Sequence, residues 1–258
     1  MDLADRRRLA DQNVTAAFDL VRVHRSDPLS GRHRFGAVDV IAVGAPLAFF
    51  NPVLALDPTT TAADLRAAIE WVRGRGLPHS VQLRDDLPED LRTLVAGYGL
   101  VQNPWPTPVM VLDPVVVPAG ALTSFDIRVG GGNLFEDFHA AIGSIGLLRE
   151  LFSSGLLDDE RVAVAVAYLD NEPVSAATAV RSNAAVGIYA VATAERARRQ
   201  GFGRAVTWAV IEAGRERWAS AIAVLQASEM GAPLYRSMGF DDVSRYLEFG
   251  PPPTPPSA

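Results

Sequence analysis

The tightest constraint on the fold lies in residues 162–249, where the hydrophobic period changes in a fixed order. Residues 162–169 are apolar and valine-rich, and the turn residues Asp170, Asn171, Glu172 and Pro173 lead into a second apolar run over 174–181. Two such runs around a polar turn predict a β-hairpin. A further turn at Ser182 and Asn183 leads to residues 186–191, a third strand beside it. The period then becomes helical: Phe202, Ala205, Val206, Ala209, Val210 and Ala213 recur on one face. A short buried strand follows over 221–225, then a short helix over 232–238 closed by Gly239, then a last strand over 243–249. Ahead of the hairpin, 134–141 and 145–152 read as two helices.

The first half repeats part of this order. Residues 37–43 and 47–56 are strand-like, and Leu65, Ala68, Ile69 and Val72 share a helical face. Thr61 reads as the N-cap of that helix, with Asp64 three residues on in a box-like arrangement. Residues 81–83 form a short strand and 89–96 a helix. The stretch from Leu94 to Leu100 runs parallel to that from Leu234 to Phe240, since both end a helix in Gly and a large apolar residue. A duplicated fold follows. Pro104, Pro106, Pro108, Pro114 and Pro118, with the glycine run 130–132, mark residues 104–132 as a connector holding one strand at 109–112. The expected division is therefore 1–122, 123–250 and a proline-rich tail over 251–258.

Composition removes several chemistries. The 258 residues include no cysteine and no lysine, so all 24 basic residues are arginine. No thiol nucleophile, Cys-ligated metal, Schiff-base lysine or Gly-Lys-Ser/Thr phosphate loop can exist. A net charge of −6 argues against nucleic acid as the partner. No apolar run approaches the ~20 residues that span a bilayer, so neither a membrane nor a signal segment is expected and a cytoplasmic setting is the default. His24, His33 and His79 lack metal-ligand spacing.

The segment from Val191 to Arg204 carries the chemistry. A strand end is followed by an arginine- and glycine-rich turn that opens an amphipathic helix. Gly201 and Gly203 admit a ligand close to the backbone, and the first N–H groups of a helix are unpaired and favour an anion. Arg198, Arg199 and Arg204 add charge suited to a pyrophosphate. The plainer alternative is that the arginines are solvated and the glycines only shape a turn.

Arg198-x-x-Gly201-x-Gly203, then Ser228-x-x-Gly231-x-x-Leu234-Tyr235-x-x-x-Gly239-Phe240, resembles the GNAT superfamily of acetyl-CoA-dependent N-acetyltransferases over about residues 125–249. The resemblance implies an α/β (α+β) fold, a mixed, mostly antiparallel sheet flanked by helices, in two such lobes. It implies that acetyl-CoA is the co-substrate, with no metal, and that backbone N–H groups of Arg199, Gln200, Gly201, Phe202, Gly203 and Arg204 hold its pyrophosphate, with Arg198 opening the motif. Val191 would lie at the bulge that splays two strands. The pantetheine arm would pair with backbone at Val191 and Thr193, and Val191 N–H would polarise the acetyl carbonyl. Tyr235 takes the place of the family's general acid. The acceptor would be a small-molecule or peptide amine, in a pocket built from 134–152, the first half and the strand 243–249.

Two departures stand out. Ser228 replaces the family's common Asn, so a side-chain contact to the pantetheine is shorter or water-mediated, and Gly231 replaces its Ala. The strand 186–190 also lacks the glutamate that some members use as base. Glu229 and Tyr189 are candidates, and no base is assigned. In the first half the corresponding loop, 56–64, has acids and no arginine or Gly pair. That half is a degenerate copy that does not bind CoA. The alternative function is a non-catalytic CoA-binding or sensing protein on the same fold.

Overall fold

The computed structural model describes residues 1–122 and 124–253, so the tail expected at 251–258 lies outside the described residues from 254 onward. Along the chain run α1 (Leu3–Val23), β1 (Gly31–Phe35), β2 (Val38–Ala42), β3 (Pro52–Ala55), α2 (Ala62–Arg73), β4 (Ser80–Arg84), α3 (Glu89–Ala96), β5 (Val101–Gln102) and β6 (Thr107–Leu112). There follow β7 (Asp126–Gly130), α4 (Phe135–Ile142), α5 (Leu147–Leu151), α6 (Ser154–Leu157), β8 (Val162–Leu169), β9 (Glu172–Ser182), β10 (Ala185–Thr193), α7 (Phe202–Trp218), β11 (Ile222–Gln226), α8 (Ala232–Ser237) and β12 (Asp241–Gly250).

The chain forms two compact units, one of residues 1–17 with 109–243, the other of 18–108 with 244–258. This partition differs from a simple cut at 122, and hydrogen bonding explains why. Arg7 Nε donates to Val243 O at 2.6 Å and Arg6 to Val111 O at 3.3 Å, which fix the first turns of α1 in the first of these units. Residues 109–112 of β6 pair with β11, whereas 246–249 of β12 pair with β4.

The larger unit has strand order β6-β11-β10-β9-β8-β7. All its pairings are antiparallel except β10 with β11, which the crossover helix α7 joins. The β8–β9 turn is Asp170-Asn171, both with positive φ (53° and 65°), the twisted two-residue turn that suits a hairpin. Thr207, Trp208 and Ile211 of α7 are buried together with the stripe expected from its period, so this helix is enclosed on more than one face.

The smaller unit has the order β1-β2-β3-β4-β12, with β5 also on β12. Its β3 and β4 are parallel and joined by α2, repeating the β10-α7-β11 arrangement. Thr61 caps α2 as expected, accepting from Asp64 N–H at 3.2 Å. The strand expected over 47–56 is shorter: 48–50 form a 3-10 turn and only 52–55 pair. The fully buried Asn51 side chain explains the break. It accepts from Gly44 N–H at 3.1 Å and donates to Ala45 O and Pro78 O at 2.7 and 2.8 Å, replacing ladder bonds with local ones.

Among the described residues, no helix is long and apolar enough to cross a membrane.

Candidate functional site

The site grows from an irregularity in β10. Tyr189 pairs with Thr178 and Ala192 with Ala176, so Ala190 and Val191 stand opposite the single residue Ala177. One extra residue on one strand is a β-bulge, and Ala190 adopts φ 52° within it. The parallel pairing with β11 ends just before this point, at Ile188 with Leu225. From Tyr189 to Thr193 the strand is half-buried, whereas Ala185 to Ile188 are buried. The two central parallel strands thus part where the bulge begins, which exposes backbone N–H and C=O groups along one edge. Val191 sits within the bulge and Thr193 at the strand's end.

The turn that follows keeps its amides free. Among the described residues, the backbone N–H groups from Arg199 to Arg204 donate to no other protein group, and the first bond of the helix runs from Ala205 N–H to Gly201 O at 3.0 Å. Gly201 is the N-cap of α7 at φ 91°, a conformation that side chains rarely adopt. A Cβ there would lie 3.1 Å from the Phe125 ring. At Gly203 a Cβ would lie 3.3 Å from Thr193 Oγ1, so the helix start closes on the strand end.

The arginines around this turn lack acidic partners. Arg8, Arg22, Arg92, Arg149, Arg161, Arg215 and Arg236 all pair with carboxylates, yet among the described residues Arg196, Arg198, Arg199 and Arg204 pair with none. Arg198 Nε donates to Thr193 O at 3.2 Å, and Arg204 donates to Ser237 Oγ at 2.8 Å. Gln200 reaches back to Arg196 O at 2.9 Å. These bonds hold the turn against the end of β10 and against α8 while leaving the charges uncompensated. Free amides, a glycine cradle and unpaired guanidinium groups fit a pyrophosphate.

α8 brings Tyr235 into the same unit. The residue is 8 % exposed, its ring meets Phe240 edge-on at 5.9 Å, and burial pushes its phenol pKa up to about 12. Among the described residues its hydroxyl has no hydrogen-bond partner. Ser228 is used locally: its Oγ accepts from Gly231 N–H at 3.1 Å, and its carbonyl from Ala232 N–H at 2.9 Å. That serine therefore shapes the entry to α8, its hydroxyl oxygen accepting from within its own turn. Gly231 is tight against Tyr235, since a Cβ would lie 3.2 Å from that ring.

Of the two candidate bases, Tyr189 is unsuited. Its hydroxyl donates to Asn13 Oδ1 at 2.6 Å, and burial raises its pKa further from neutrality. Glu229 is exposed beside α8. Sequence reasoning missed Asn13, Ser175 and Thr178, which surround the bulge; small polar residues within otherwise apolar elements were the available signal.

The smaller unit has the same shell without these groups. In its loop before α2, Asp57 Oδ1 accepts from Thr59 N–H at 2.8 Å and from Thr59 Oγ1 at 2.6 Å. The bonds from Thr59 hold this carboxyl below its ordinary pKa, so a built-in anion takes both donors of that residue. At the end of α3, Gly99 has φ 79° as Gly239 has φ 95° after α8, but buried Val95 stands where α8 carries Tyr235.

Comparison with known proteins accords with this geometry. A model of the acetyltransferase (GNAT) family matches residues 132–240. No curated protein gives a significant match to the sequence. Among solved structures, a GCN5-related N-acetyltransferase from Kribbella flavida is 18% identical, with 96% of each chain covered and a TM-score of 0.71. A tandem GNAT protein from the clavulanic acid biosynthesis pathway is 13% identical over 96% of this chain and 95% of its own, with a TM-score of 0.57. A GCN5-related N-acetyltransferase from Sphaerobacter thermophilus is 18% identical over 83% of this chain and 76% of its own, with a TM-score of 0.54. At these identities the likeness is one of fold, and it extends over both units. The segment 132–240, which carries the bulge, the arginine-glycine turn and Tyr235, is the part of the chain that the acetyltransferase (GNAT) family model matches.

Proposed function

We propose that the protein transfers an acetyl group from acetyl-CoA to the amine of a small molecule or peptide, by direct attack in a ternary complex. The observation that carries this reading is the turn at 199–204, whose free amides and unpaired arginines follow directly on a bulged strand end. The amides of Arg199 to Arg204 hold the pyrophosphate. The exposed backbone of Val191 and Thr193 receives the pantetheine arm as an added strand, and Val191 N–H donates to the acetyl oxygen as negative charge develops there. Without a cysteine, the chain offers no thiol to carry the acyl group.

In the transfer, the amine nitrogen bonds to the acetyl carbon, the carbon–sulfur bond breaks, and the amine proton passes to solvent. Tyr235 attends the leaving sulfur. With its pKa near 12 against ~8.5 for a thiol, full proton transfer would be uphill by about 5 kcal/mol. Its role is therefore to donate a hydrogen bond to the thiolate, which takes its proton from water afterwards. The hydroxyl has no partner among the described residues, which leaves it available for that bond.

Thiol release from acetyl-CoA, followed across a panel of aminoglycosides, amino acids, polyamines and peptide N-termini, tests the function. An amine-dependent rate of CoA release, with N-acetylated product by mass, is expected. Acetyl-CoA binding with no release across the panel would favour the sensing alternative.

A further inference from the structure

The bulge does not stand by itself; hydroxyls on the neighbouring strand hold both of its ends. A bulge interrupts the ladder, so the carbonyls that flank it need other donors. Thr178 Oγ1 donates to Tyr189 O at 3.1 Å, and Ser175 Oγ donates to Ala192 O at 2.8 Å. A serine hydroxyl has one proton. With that proton given to Ala192 O, the 2.8 Å contact between Ser175 Oγ and Thr193 Oγ1 is a bond donated by Thr193. Both β9 residues are buried, at 0% and 3% exposure, within a run of alanines and valines where an apolar residue would serve packing better.

A third restraint comes from α1. The Tyr189 hydroxyl donates to Asn13 Oδ1, and Asn13 Nδ2 donates to Val180 O at 3.1 Å and to Ser182 Oγ at 2.7 Å. Asn13 is fully buried and lies over Gly187, where a Cβ would come within 1.7 Å of Asn13 Oδ1. Glycine at 187 is thus required for this amide to reach Tyr189. The residue on one side of the bulge is fixed through its carbonyl and its ring, and the residue on the other side through its carbonyl.

We propose that Ser175 and Thr178, with Asn13 acting through Tyr189, are positioning residues that set the direction of the N–H groups at Ala190 and Val191. This rests on the reading that the backbone at Val191 and Thr193, which the bulge at Ala190 and Val191 orients, receives the acyl-pantetheine arm. None of the three touches the reactants; each acts on the strand that does. Their loss changes how the arm is held more than it changes the pyrophosphate turn, because none of the three bonds directly to residues 199–204.

Two ligands separate these effects. Titration calorimetry with acetyl-CoA reads the turn and the bulge together, whereas 3′-phosphoadenosine 5′-diphosphate, the nucleotide part of CoA, reads the turn alone. Thr178→Val and Ser175→Ala are each expected to weaken acetyl-CoA about tenfold while leaving the nucleotide within about twofold of wild type. Thr178→Ser, which keeps the hydroxyl, restores acetyl-CoA binding. Where Thr178→Val fails to fold, Tyr189→Phe removes only the hydroxyl held by Asn13 and gives the same contrast. Unchanged acetyl-CoA affinity in the variants, or equal weakening of both ligands, overturns the proposal while the site assignment stands. A wild-type chain that binds neither ligand overturns the site assignment and the proposal together.

Discussion

Gly201→Asp is expected to abolish the rise in melting temperature that acetyl-CoA gives the wild-type chain. At a ligand concentration about a hundredfold above Kd, binding stabilises a protein by about 2.7 kcal/mol, or roughly 5–10 °C for a chain of this size. The substitution acts in two ways. At φ 91° a residue with a Cβ is strained, and that Cβ would lie 3.1 Å from the Phe125 ring, so the start of α7 must shift. The carboxylate also places a negative charge where the free amides point. At a separation of about 5 Å and an effective dielectric of ~20, it repels a phosphate by about 3 kcal/mol, more than a hundredfold in affinity. Gly201→Asn carries the steric change without the charge. It is expected to retain part of the shift, which assigns the remainder to electrostatics. Equal shifts in wild type and Gly201→Asp would show that the turn does not hold the ligand.

Tyr235→Phe is expected to lower kcat by about 10- to 100-fold and to leave acetyl-CoA affinity within about threefold. The range follows from a single hydrogen bond to a developing thiolate, which is charge-assisted and made only as the bond to sulfur breaks. A group that also delivered its proton in the transition state would be worth up to ~10⁴. The variant loses no hydrogen bond of the fold, because the hydroxyl has no partner among the described residues. The melting temperature of the ligand-free protein should therefore be unchanged or slightly raised. Undiminished kcat would remove Tyr235 from the chemistry, and an equal fall in stability and turnover would mark it as a packing residue.

Much of the larger unit was legible because its hydrophobic periodicity is regular. The hairpin of β8 and β9 is written in alternating apolar runs around Asp170-Asn171, and α7 in a helical stripe opened by Gly201. The turn at 198–204 stood out by its glycines and arginines, but that its arginines have no carboxylate partners among the described residues became visible only in the structure. Other parts were hidden by the kind of information a single sequence carries. α1 has buried Leu9, Ala10, Val14 and Phe18 at helical spacing, but Asn13 interrupts the stripe, and its hydrogen-bond partners lie more than 160 residues away. β1 is nearly all polar or charged, so alternation gave no signal there.

The exchange of end strands was equally invisible, since 109–112 and 246–249 are apolar in the manner of any buried strand. Nothing local says which partner each will take. The position of the bulge was expected at Val191 from the family resemblance, but its restraints were not. Ser175 and Thr178 look like ordinary strand residues until the register shows which carbonyls they meet.

The central claim is that the unit carrying the 199–204 turn takes acetyl-CoA and the other unit does not. Titration calorimetry of acetyl-CoA into the full chain tests this most directly. One site per chain is expected, lost in Gly201→Asp and unaffected by Asp57→Asn. Two sites per chain, no binding, or a single site that survives Gly201→Asp and disappears with Asp57→Asn would contradict it.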